Sequence, residues 1–190
     1  MTTYRKRENF FEKGEREWRV DPHALVLRTP DGKEMAYAWR DVTTVRLRYA
    51  PTRAKTGRYV FDVAFKNGVD WSIDNIHFAG LADFEERNAT YTPFVHAALA
   101  RIKAEAPTAK AYAGATPLSY YGQSAFVLAA FAALAAVLLT LPVLDGIPGV
   151  AIVKLLIIAA MLPFLIKWLR TSYPRAIAID AIPENALPKK

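Results

Sequence analysis

The sequence of 190 residues predicts an α+β protein: a small antiparallel β-barrel or sandwich capped by one C-terminal helix, followed by a two-helix transmembrane hairpin. Three observations predict it. From Arg16 to Ile73 apolar and polar residues alternate, which is the period of half-buried strands. After Thr92-Pro93, the residues Phe94, Val95, Ala98, Leu99 and Ile102 recur at helical spacing. Finally, Gly122 to Leu144 carries no charge and Val150 to Ile166 carries only Lys154. An apolar run of about 20 residues is long enough for a helix to cross roughly 30 Å of hydrocarbon.

These patterns divide the chain into a basic N-terminal segment (1–15), a domain (16–106), a linker (107–119), the hairpin (120–170, helices about 122–144 and 148–169) and a cytoplasmic tail (171–190). The formal charge of +7 is concentrated outside the apolar runs, with 19 Lys and Arg against 15 Asp and Glu in residues 1–110. There is no cysteine, which excludes disulfides, thiolate metal sites and a cysteine nucleophile. The first residues begin basic, but Glu8, Glu12, Glu15 and Glu17 interrupt them and no apolar core follows, so they do not read as an export signal.

Strands are expected at Glu17–Val20, Ala24–Arg28, Glu34–Ala38, Val42–Tyr49, Tyr59–Phe65 and Val69–Ile73, separated by Asp21-Pro22, Pro30-Asp31-Gly32, Arg40-Asp41, a loop with Pro51 and Gly57, and Asn67-Gly68. The Asn-Gly pair predicts a type I′ hairpin turn. In the fourth strand Val45, Leu47 and Tyr49 point one way and Arg46 and Arg48 the other; in the fifth, Tyr59, Phe61, Val63 and Phe65 form the buried set. The pattern blurs from Asn75 to Glu86. The helix is then expected from Pro93, which suits a first turn, to about Ala104. Pro107 to Pro117 has linker composition.

The stretch WRVDPHALVLRTPDGKEMAYAWRDVTTVRLRY, with the closing FVHAALARI, resembles the pleckstrin-homology superfold, in particular the bacterial PH-like or GRAM-like domains of small membrane proteins. The resemblance covers about Arg16 to Ala104 and rests on the order of elements. In those bacterial proteins a transmembrane hairpin often precedes the domain, whereas here it follows. Arg46, Arg48, Arg53, Lys55 and Arg58 are five positive charges within 13 residues with no acid between them. In phosphoinositide-binding PH domains a basic strand-loop-strand binds the head group, so the resemblance implies an anionic lipid or acidic-partner site at these five residues. The competing reading is a solvated charged loop. Nucleic acid is not expected, because no stacking aromatics accompany the charges.

Arg101, Lys103 and Lys110 precede the first apolar run and Lys167, Arg170 and Arg175 follow the second, while the connection has none; the positive-inside rule then puts both termini in the cytoplasm and the chain in the inner (plasma) membrane. Tyr120, Tyr121, Trp168 and Arg170 are expected as interfacial anchors. Lys154 joins them, because it lies about 8 Å past Gly149 and its stem reaches the far interface or Asp145. Ala129, Ala132, Ala133 and Ala136 form a small-residue stripe for close helix packing, against the second helix or against a protein partner or second copy. No HExxH, GxGxxG or GxxxxGK[ST] occurs, and His23, His77 and His96 are dispersed, so no catalytic residue, metal or cofactor is expected. Two functions are open: an interaction or scaffold module, or an accessory subunit of a larger membrane complex.

Overall fold

The computed structural model describes residues 2–81, 83–140, 150–183 and 186–188. The chain is α+β and falls into two units, one made of Met1–Gly114 with Arg175–Lys190, the other of Ala115–Pro174.

In the first unit, β1 (Thr2–Lys6), β2 (Arg16–Val20), β3 (Ala24–Arg28) and β4 (Glu34–Ala38) form an antiparallel meander. A single 3₁₀ turn at Trp39–Asp41 leads to β5 (Val42–Tyr49), β6 (Tyr59–Phe65) and β7 (Asp70–Asp74), which pair antiparallel in sequence order. A hairpin of β8 (Ile76–Gly80) and β9 (Asp83–Glu86) follows, then helix α1 (Asn88–Glu105). A short strand β10 (Lys110–Ala113) lies parallel to β5, and β11 (Arg175–Ile177) pairs antiparallel with β10, extending the second sheet to β11-β10-β5-β6-β7.

One core joins both sheets and α1. The alternation in β5 and β6 turns Val45, Leu47, Phe61, Val63 and Phe65 inward, and α1 adds Phe94, Val95, Ala98, Leu99 and Ile102, all buried. Trp18 of β2 meets Trp71 of β7 edge-on at 5.0 Å, an arrangement that adds to the area both rings bury. Trp39 is fully buried, and its indole N–H donates to the Asp21 carbonyl at 3.0 Å.

Several local features differ from the sequence expectation. Residues 1–15 are not all a basic tail: Thr2–Lys6 is a strand because Tyr4 is fully buried and its hydroxyl donates to the Asp74 carbonyl at 2.8 Å. Within the expected linker, Lys110–Ala113 is a strand with Ala111 and Ala113 buried. The expected tail supplies β11, and Ala186 and Leu187 join the core. The Asn67-Gly68 hairpin is not type I′. Gly68 closes the turn, its N–H donating to the Phe65 carbonyl at 3.1 Å, so Lys66 and Asn67 are central and Gly68 alone takes positive φ (79°) as the left-handed residue of a three-residue loop. The β3–β4 turn repeats this arrangement with Gly32 (φ 85°). Helix α1 starts at Asn88, so Pro93 lies inside it. The extra turn is held by Tyr91, fully buried with its hydroxyl donating to the Ile73 carbonyl at 3.2 Å, while the Ala89 carbonyl that Pro93 cannot satisfy sits on an exposed residue open to water.

The second unit contains α2 (Pro117–Thr140) and α3 (Val150–Ser172), both long and apolar enough to cross a membrane. Val127, Ala130, Phe131 and Leu134 of α2 line an apolar groove of about 420 Å³ with Met161, Phe164 and Leu165 of α3.

Leu187 is 7% exposed in the core of the first unit. Leu187→Ala is expected to lower stability by about 2–3 kcal/mol, as a buried leucine truncation does. Unfolding of the detergent-solubilised chain, followed by fluorescence of Trp18, Trp39 and Trp71, measures it; an unchanged midpoint would show that the C-terminal residues add nothing to this core.

Candidate functional site

The five cations singled out in the sequence lie on β5, on the 50–58 loop and at the approach to β6, and they meet different fates. Arg48 makes a forked pair with Asp62 of β6, its Nε donating at 2.7 Å and its Nη2 at 3.3 Å. Arg58 donates from Nε to Asp74 at 2.6 Å. Arg46 stacks on the Tyr112 ring, its guanidinium 4.8 Å from the centroid, and donates to the Gly114 carbonyl at 3.4 Å; burial lowers its pKa from the ordinary arginine value. Lys55 holds its ammonium 4.7 Å above the Phe84 ring of β9. Arg53 is exposed at the tip. The loop that presents Arg53 and Lys55 is pinned rather than slack: Thr52 and Lys55 exchange backbone hydrogen bonds at 3.1 and 3.2 Å, and the Tyr49 hydroxyl donates to the Thr56 carbonyl at 2.6 Å.

The acids that take Arg48 and Arg58 come from neighbouring strands, so local sequence could not show them. Asp62 was traceable, because it alternates with the buried set of β6 and the hairpin register sets it opposite Arg46. Asp74 was not, because the lysine it takes, Lys6, lies 68 residues away near the N-terminus. It is 4% exposed and accepts from Lys6 Nζ at 2.5 Å, from Arg58, and from the Ile76 N–H at 3.2 Å. Burial pushes its pKa up, but Lys6 and Arg58 outweigh that and hold it below the ordinary carboxylate value. Lys6 is itself 1% exposed and also meets Glu8 at 3.0 Å. Beside it, the fully buried Asn75 accepts from the Tyr59 N–H at 2.8 Å and donates to the Gly57 carbonyl at 2.9 Å, tying the loop to the end of β7.

This polar cluster holds together one end of the first unit, where the 8–15 loop, the 50–58 loop and the β8–β9 hairpin meet. His77 accepts the Arg7 N–H at Nδ1 (3.0 Å), and burial and the nearby Arg87 lower its pKa, so the ring is neutral there. A cleft of about 620 Å³ between Thr3, Arg5, Glu15, Glu85, Glu86 and Arg87 has its charges largely matched internally: Arg87 pairs with Glu15 at 2.8 Å, which holds the Glu15 pKa low, and Arg5 pairs with Glu17 at 2.7 Å. Among the described residues no group of three His, Asp or Glu is placed to hold a metal ion.

In the second unit, Ala129, Ala132, Ala133 and Ala136 are all exposed, on the far side of α2 from Val127 and Phe131 by the 3.6-residue repeat. They do not pack against α3. Lys154 is 9% exposed, so protein covers it; Asp145, its expected partner, lies outside the described residues. Tyr120 meets Tyr121 at 5.4 Å and Tyr173 at 5.5 Å, both edge-on, while Trp168 is half-buried and Arg170 exposed.

Because the folded-state pKa of Asp74 lies below its unfolded value, the cluster stabilises fully above the ordinary carboxylate range and its contribution falls away as the pH drops through the folded value. Asp74→Asn leaves the buried Lys6 ammonium with the more exposed Glu8 as its acid partner and is expected to cost about 3–5 kcal/mol at neutral pH, with a shallower decline of stability in acid than the parent chain. Urea unfolding across pH 3 to 7 measures both; a cost within the ~1 kcal/mol of a surface pair would refute the buried-pair account. Compared with known proteins, the chain matches no protein-family model, no curated protein and no solved structure.

Proposed function

We propose that the protein is a membrane-anchored, non-enzymatic interaction module: a PH-like domain on the cytoplasmic face of the inner membrane, held by two spans, whose 50–58 loop engages an anionic leaflet or an acidic partner. The observation that carries this reading is where the loop lies. It follows β5, and the chain leaves the first unit beside the end of that strand, with the Gly114 N–H on the Leu47 carbonyl at 2.9 Å; it returns at Arg175, opposite Ala113. The pairing of β10 with β11 supports a two-span segment with both ends on one side of a bilayer, and the flanking Arg101, Lys103, Lys110, Lys167, Arg170 and Arg175 favour the cytoplasm as that side. The PH-like reading is supported by four antiparallel strands, then three, then a helix that closes the core; the β8–β9 hairpin and the β10–β11 pair depart from that order.

Arg48 and Arg58 are committed to internal acids, so Arg53 and Lys55 carry the contact. At about 1 kcal/mol per basic residue near an anionic surface, the two supply about 2 kcal/mol. That biases the orientation of a tethered domain and is too little to recruit a free one, which is why the anchor matters. In the full chain reconstituted in anionic nanodiscs at low salt, trypsin cleavage after Arg53 and Lys55 is expected to be slower than in zwitterionic discs, and the difference to vanish at 1 M salt, where screening extends over only about 3 Å. Equal cleavage in all conditions would sink the reading.

A second reading, an accessory subunit of a larger membrane complex, is favoured by the exposed alanine stripe of α2, since small residues let a neighbouring helix approach closely. Mild detergent extraction separates the two: the accessory subunit co-purifies with a stoichiometric integral partner, the lone module does not.

A further inference from the structure

The loop end of the first unit holds three large apolar side chains out in solvent: Phe10 (66% exposed) and Phe11 (90%) in the 8–15 loop, and Leu81 (90%) at the turn of the β8–β9 hairpin. Their exposure is built in. The Asn9 carboxamide oxygen accepts the Phe11 N–H at 2.9 Å, Glu12 accepts the Glu8 N–H at 2.9 Å and pairs with Arg16 at 2.5 Å, and Arg7 donates to the Phe10 carbonyl at 2.9 Å. A loop braced by this many polar contacts presents its two rings at a fixed place, with centroids 6.0 Å apart, instead of folding them onto the core. The hairpin is fixed beside it by the Phe78 N–H on the Arg7 carbonyl at 3.0 Å and by the Arg7 guanidinium 5.4 Å from the Phe78 ring.

We propose that these three side chains insert into the lipid interface, so that the loop end of this unit is a membrane-contacting surface anchored by apolar tips. This rests on the reading of the chain as membrane-anchored. Two features favour a bilayer over a protein as the occupant. The chain leaves the unit at Gly114, at this same end, and α2 begins three residues later at Pro117, a reach of roughly 10 Å, so lipid is within range by chain length alone. The tips are also separate projections on two loops, which suits a deformable interface rather than a preformed groove. The exposed charges here are mixed, Lys13 and Arg53 against Asp83, Glu86 and the Arg87-paired Glu15 and Glu85, so the insertion depends on apolar contact and resists salt.

The cysteine-free chain allows single labels at Phe11→Cys, at Leu81→Cys and, as control, at Lys66→Cys beyond the opposite end of β6. With an environment-sensitive fluorophore on the full chain in liposomes containing anionic lipid, positions 11 and 81 are expected to show blue-shifted emission and quenching by lipids spin-labelled near the head group, unchanged between 0.1 and 1 M salt, while position 66 shows neither. Quenching at 11 and 81 no greater than at 66 overturns the inference. So does a blue shift without lipid quenching, which means protein covers the tips. Quenching retained while the salt-dependent trypsin protection at Arg53 and Lys55 is absent removes the anionic-surface reading and leaves this one standing; the reverse removes this one alone.

Discussion

A carboxylate taken out of water must be compensated, and in the first unit that requirement falls on Asp74. Its oxygens draw in Lys6 from β1, Arg58 from the approach to β6 and the Ile76 N–H from the start of β8. Residues separated by 68 positions are thereby fixed at one point, and three loops inherit their positions from it. The same demand decides which cations remain for other work. Arg58 is held inward, Arg48 is taken by Asp62, and the apparent run of five positive charges reduces to Arg53 and Lys55 at the surface. Replacing such a cluster whole with apolar groups is often no less stable, whereas removing one partner and leaving the other charge buried is costly.

The central strands were legible, Val42–Tyr49 and Tyr59–Phe65 because burial alternates along most of each, Ala24–Arg28 and Glu34–Ala38 because turn residues bound them; all four stand where the sequence put them. What escaped were strands whose burial comes from distant partners. Thr2–Lys6 reads as a charged tail because its inward positions are Tyr4 and Lys6, and a lysine declares itself buried only once Asp74 is beside it. Lys110–Ala113 and Arg175–Ile177 are too short to show a period and exist because they complete one another on the edge of β5. The basic residues of the candidate site were readable by type, but their pairing was not, since cross-strand neighbours are set by register.

The second unit inverts this balance. Its two helices follow from hydropathy alone, yet a segment apolar on every side gives no clue to which face meets its neighbour. The structure turns Val127 and Phe131 of α2 toward α3 and leaves the alanines outside. In lipid, where apolar contact between helices has no hydrophobic reward, an outward face of small residues is the unusual choice, and large aliphatics such as Ile152, Leu155 and Leu156 on α3 are the ordinary one.

The β10–β11 pair also sets an order of events. One edge of the first unit's larger sheet is completed only by Arg175–Ile177, which are synthesised after both apolar helices. Until then β10 presents an open strand edge, and Ala111 lacks the cover that Ile177 provides. Final closure of the domain therefore waits on both helices: a chain in which Arg175–Ile177 does not come back to β10 would leave the sheet unfinished, exposing an unpaired edge of the kind that cellular quality control and aggregation both act on. Return of the chain through the second helix is in this way a precondition for the finished domain.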